Sequence, residues 1–95
     1  MSMKEAYEKK LEARLEDWNA DISKLKARAD AAEADAQLEY YKQIEDLRSK
    51  QDEAKKKLNE LKDASEDAWQ DLKIGIESAW ESLGSSVKSA KSHFG

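Results

Sequence analysis

Apolar residues in the first half of the chain recur at heptad spacing. Leu11, Trp18, Leu25 and Ala32 fall seven apart, and Leu15, Ile22, Ala29 and Ala36 fill the interleaved set. Alternating steps of three and four draw one apolar stripe along a helix, the pattern that coiled-coil packing requires. After Ala36 the series advances by two steps of four, through Tyr40 and Ile44, before a second heptad run of Ile44, Leu47, Gln51, Ala54, Leu58 and Leu61. Such a slip alters the local supercoil and also suits a bend.

Beyond residue 62 the period changes to eleven. Ala68-Trp69-Gln70-Asp71-Leu72 returns as Ala79-Trp80-Glu81-Ser82-Leu83, Ile76 is echoed by Val87, and Ala90 with Phe94 begins a third copy. Eleven residues make three helical turns at roughly 3.67 residues per turn, so Trp69, Leu72, Ile76, Trp80, Leu83 and Val87 form a nearly straight apolar face.

Ser2 and Glu5 stand in capping-box spacing, which predicts a helix start at about residue 3. From there to Gly75 there is neither glycine nor proline, so no residue forces a break. Two places carry weaker stop signals. Asp30/Glu33 and Asp63/Glu66 are also spaced like capping boxes, and the first lies in a stretch, 27–36, with six alanines in ten positions. Acid-first pairs such as Glu5/Lys9, Asp46/Lys50, Asp52/Lys56 and Glu53/Lys57 support the helices.

The fold class is therefore all-α. The leading architecture is a long heptad helix over 1–62, with a bend or break near 30–40, followed by an amphipathic helix over 63–95 that folds back. It makes an oligomeric coiled coil or helical bundle. Antiparallel return across a turn near residue 63 predicts Trp80 near Asp46 and Leu47, and Val87 near Glu39 and Tyr40. The alternative is a compact three-helix bundle with breaks near 30 and 63. Gly75 and Gly84 are each expected to weaken the last helix by roughly 1 kcal/mol relative to alanine. The serine-rich 85–95 segment is expected to fray.

Composition narrows the function. At 95 residues there is room for one core only, and the 40% of charged residues with no proline is the composition of long helices. A net charge of −4 has the wrong sign for a general nucleic-acid binder. Lys55-Lys56-Lys57 points around the helix and is flanked by acids, so no nucleic acid is expected as a partner. The chain has no cysteine, and its charged N-terminus lacks the apolar segment of a secretory leader. No apolar run approaches the roughly 20 residues that span a bilayer. The expectation is a soluble, cytoplasmic protein.

Candidate chemistry is sparse. His93 is the single histidine and has no helical metal-ligand partner. Carboxylate pairs such as Glu12/Glu16, Asp63/Asp67 and Asp67/Asp71 share helix faces, but a slender helical assembly offers no desolvated cleft to separate their pKa values. No catalytic residue, metal site or cofactor is expected, and the protein is not read as an enzyme.

Two interaction surfaces remain. Leu11, Leu15, Trp18, Ile22, Leu25, Ile44, Leu47, Leu58 and Leu61 form a seam for self-association into a homo-oligomer. The face of Trp69, Leu72, Ile76, Trp80, Leu83 and Val87 suits a protein client or a membrane surface. Against lipid, residues 64–84 carry Glu66, Asp67, Asp71, Glu77 and Glu81 opposed only by Lys73, and anionic headgroups repel such a face. The leading function is thus a non-enzymatic structural or interaction protein, with a peripheral membrane- or client-binding helix as the alternative.

Trp18-Asn19-Ala20-Asp21-Ile22, the Ala/Asp-rich 27–36 stretch, Tyr40-Tyr41 and the twin Ala-Trp-x-x-Leu units give the chain a family likeness. It resembles the small, cysteine-free bacterial coiled-coil proteins described as stress-response or hypothetical proteins. The resemblance implies a helical protein of the bacterial cytoplasm with a role in stress protection, and brings no catalytic residues with it. The C-terminal repeat is also similar in period to apolipoprotein-like and late-embryogenesis-like helices.

Overall fold

The computed structural model describes residues 2–94. Three helices account for nearly all of them: α1 over Met3–Ala31, α2 over Ala34–Asp63 and α3 over Trp69–Phe94. They run up, down and up in a bundle measuring 51 × 20 × 18 Å. Of the two architectures left open by the sequence, the protein adopts the compact one. A continuous helix over 1–62 is not formed, because Ala32 and Glu33 leave helical geometry at ψ 161° and 154°. Folding at this joint lets the two heptad seams bury each other within one chain, which a straight helix cannot do.

The caps differ in quality. Ser2 Oγ accepts from the Glu5 N–H at 3.1 Å, as its spacing predicts. Ala32 N–H closes α1 onto the Ala29 carbonyl, but Glu33 caps α2 with no side-chain hydrogen bond. The orphan carbonyls are served instead by Gln37, whose Nε2 donates to Ala29 and Asp30, both at 3.2 Å. Before α3 the capping group is Ser65, not Asp63; its Oγ accepts from the Ala68 N–H at 3.1 Å.

Because α3 begins at Trp69, its pairing with α2 is displaced from the expected one. Tyr40 stacks on Phe94, with ring centroids 4.1 Å apart, a heptad beyond the predicted Val87. Lys50 hydrogen-bonds Ser86. The five residues 64–68 between the helices account for the displacement, since a turn at 63 would start α3 earlier. The 85–95 segment also differs from expectation. It stays helical to Phe94, with Val87 and Ala90 buried and Phe94 half-buried, so the third copy of the repeat packs and the end does not fray. Gly95 lies outside the described residues.

The core is the sum of the three stripes. Ile22, Ala29, Ala54, Leu61 and Leu83 are wholly buried, and Trp80 retains only 1% of its exposure. Burying each large aliphatic side chain stabilises the fold by about 1.5–3 kcal/mol. The Trp80 indole N–H donates to the Leu11 carbonyl at 3.2 Å, so α1 takes up the one polar atom of the largest buried ring. One polar residue also lies in the seam. Gln51, 2% exposed, donates to Asn19 Oδ1 at 2.9 Å, and Arg48 bonds both amides at 2.8 and 2.9 Å.

Candidate interaction surface

The heptad seam lies inside the chain. Leu11, Leu15, Ile22 and Leu25 of α1 and Ile44, Leu47, Leu58 and Leu61 of α2 are all buried. Trp18 is half-buried, its ring under the Arg14 guanidinium at 5.7 Å from the centroid. The second face is likewise engaged. Trp69, Ile76, Trp80, Leu83 and Val87 are buried on α3, while Leu72 is half-buried. The two surfaces inferred as separate are thus one core with three contributors.

Two polar clasps hold its ends. At one end Lys4 is nearly buried and donates to the Lys62 carbonyl at 3.1 Å, satisfying the C-terminus of α2, with Glu8 alongside at 3.5 Å. Nearby, Lys62 Nζ meets Glu12 at 2.6 Å, and that hydrogen bond raises the pKa of its ammonium. At the same end Tyr7 packs on Trp69 at 5.5 Å between centroids. Burial, with the Glu77 carboxylate beside it, raises the Tyr7 phenol. At the other end the Tyr41 hydroxyl hydrogen-bonds Asp30 across the α1–α2 joint. That bond holds the Asp30 carboxyl below its ordinary value and raises the Tyr41 phenol.

Gly84 has a role that the sequence pattern does not reveal. A Cβ there would lie 2.8 Å from Cζ2 of Trp18, so only a residue without a side chain lets α3 sit this close to the indole. Gly75 faces open space within 4 Å and has no such role.

Outside the core the exposed positions are mostly charged or polar. Among the grooves that flank α3 are two with several polar side chains. One, against α2, is lined by Asp46, Lys50, Ser86, Ser89 and His93; the other, against α1, by Tyr7, Arg14, Trp18, Gly84 and Lys88. His93 lies at the first groove's edge, 3.7 Å from Glu39. The pairs Asp63/Asp67 and Asp67/Asp71 are exposed to water, as are Lys55 and Lys56. Among the described residues no group of three His, Cys, Asp or Glu stands in metal-ligating arrangement. Of the exposed large apolar side chains among the described residues, Met3 lies on α1, Leu38 and Tyr41 on α2 and Ile74 on α3. No helix among the described residues is long and apolar enough to cross a membrane.

No protein-family model matches the chain, and neither a curated protein nor a solved structure matches it significantly. The arrangement itself therefore carries the functional reading.

Proposed function

We propose that the protein is a non-enzymatic structural or interaction protein of the bacterial cytoplasm, self-associating through its heptad seams and serving in stress protection. The supporting observation is where the side chains go. The large apolar residues at heptad or eleven-residue spacing lie in helix–helix contacts, while the exposed positions are mostly charged or polar. Such a chain is equipped to pack helices. Sedimentation mass measured alongside circular dichroism, from micromolar to millimolar chain, tests self-association. A helical species of twice the monomer mass that grows with concentration is expected, and a monomer throughout the range overturns the reading. For the protective role, the full chain should suppress aggregation of a heat-labile model enzyme; undiminished aggregation at equimolar chain rejects it.

A second reading has its own support in α3. This helix holds two glycines, Gly75 and Gly84, and the apolar face of Trp69, Ile76, Trp80, Leu83 and Val87. Release of α3 would offer that face to a client or a neutral bilayer. Tryptophan emission with neutral and anionic vesicles separates the two readings. A blue shift with neutral vesicles favours release, and unchanged emission with both removes the lipid version.

A further inference from the structure

The joint between α1 and α2 is built from residues that prefer not to bend. Only Ala32 and Glu33 lie between the helices, with φ −78° and −67°, and neither glycine, proline nor positive φ is involved. Alanine and glutamate are both good helix formers, and alanines flank them on both sides. Changing two ψ angles would make α1 and α2 a single helix. The apolar phase already suits that helix. Leu11 and Leu61 are 50 residues apart, within about 40° of a whole number of turns at 3.6 residues per turn. Ala29, Ala32, Ala36, Tyr40 and Ile44 carry the stripe across the joint without a gap.

We propose that the Ala32–Glu33 joint opens and that two copies of this chain exchange helices, forming an antiparallel dimer about two continuous α1–α2 helices. This rests on the self-association reading and names its partner, a second copy, and its route. In the dimer α1 of one chain packs on α2 of the other through the contacts that the monomer makes internally, and α3 stays on its own α2. Short joints invite exchange of this kind, because only the joint changes. The continuous helix regains the i→i−4 bonds missing at the break and gives up the Gln37 bonds to Ala29 and Asp30 and the Tyr41–Asp30 bond. Where the two long helices cross, the seam residues are Ala29, Ala32 and Ala36, small enough for close approach.

Glu33→Pro distinguishes this route from any other. In the monomer Glu33 has φ −67°, Ala32 before it is extended, and the bonds closing the joint come from the N–H groups of Ala32, Ala36 and Gln37. Proline fits that position. Inside a continuous helix each proline weakens the structure by on the order of a hundredfold, and the dimer holds two, so its association constant should fall by about 10⁴. Gln37→Ala should raise it. In the unaltered chain, X-ray scattering of the dimer should give a longest dimension of about 90 Å for 60 helical residues, against 51 Å for the monomer. As a check independent of the proline variant's folding, spin labels at Lys10→Cys and Asn59→Cys of one chain are diluted with unlabelled chain. They should move from adjacent to about 70 Å apart as the dimer forms. A dimer whose labels remain adjacent, or that Glu33→Pro leaves equally strong, overturns helix exchange while self-association stands. A monomer at every concentration in all forms overturns both.

Discussion

The two joints of this bundle solve the same problem in opposite ways. The α2–α3 joint spans five residues and is written into its own sequence. Ser65 caps the following turn through its hydroxyl, its carbonyl receives the Ala68 and Trp69 N–H groups, and the apolar period changes there from seven to eleven. The α1–α2 joint has two residues, both helix formers, and no capping side chain of its own. It bends because bending buries Leu11–Leu25 against Ile44–Leu61. Local chemistry makes one turn, and distant packing makes the other. The difference shows that a chain with uninterrupted helix propensity can still form a hairpin when one stripe is long enough to cover itself.

The largest expected effect comes from weakening the packing that holds the α1–α2 joint. Leu25→Ala, at a position 2% exposed, should cost about 2–5 kcal/mol in urea unfolding. A peptide covering 21–45, freed from that packing, should be helical through 32–33 by NMR, whereas one covering 55–80 should still break at Ser65. A break at 32–33 in the free peptide would show that this joint is also locally encoded.

Next come the two glycines of α3, which divide along the same line. Gly84→Ala drives a methyl into the Trp18 ring and should destabilise by about 1–3 kcal/mol. Gly75→Ala meets nothing within 4 Å and should stabilise by about 1 kcal/mol. Equal shifts in thermal midpoint would refute the packing role given to Gly84. Smaller still, Ser65→Ala should cost about 1 kcal/mol and increase amide exchange at Ala68 and Trp69 without affecting residues 32–37.

The smallest effect is titration of the tether across the first joint. The Tyr41 hydroxyl bond holds the Asp30 carboxyl below its ordinary value. Its contribution is therefore complete above about pH 4 and is lost as pH falls through the lowered folded value. The same bond raises the Tyr41 phenol, so the contribution is complete below about pH 10 and is lost as pH rises through the raised value. The difference in thermal midpoint between the unaltered chain and Tyr41→Phe should be steady between these limits and shrink outside them. A difference independent of pH would sever the link to Asp30.

Much of the core was legible because it is periodic. Leu11, Ile22, Leu47, Leu61, Ile76 and Trp80 lie inside because the apolar stripe places them there, and Ser2 caps as its spacing predicts. Less legible was what lay between stripes. Whether the seam closes on itself or on a second chain depends on two ψ angles at residues that favour helix, and heptad spacing is the same either way. The α3 register needed the true length of the connection, which the Asp63/Glu66 spacing obscured. Ser85, Ser86, Ser89 and Ser92 suggested a frayed end, although Ala90 and Phe94 continued the apolar face. The closeness of Gly84 to Trp18 is a relation between residues 66 apart in the chain, beyond the reach of any local pattern.

The amides of Gln51 and Asn19 have a consequence for alignment. Leucine layers seven residues apart are nearly interchangeable, so a seam made only of them could slide by two turns of helix and lose little. With Gln51 in the seam, that slide would part Gln51 and its α2 neighbour Arg48 from Asn19 on α1 and leave the Gln51 amide N–H facing apolar neighbours. Such an error costs about 1–3 kcal/mol. One hydrogen-bonded layer thus gives an otherwise repetitive zipper a single address.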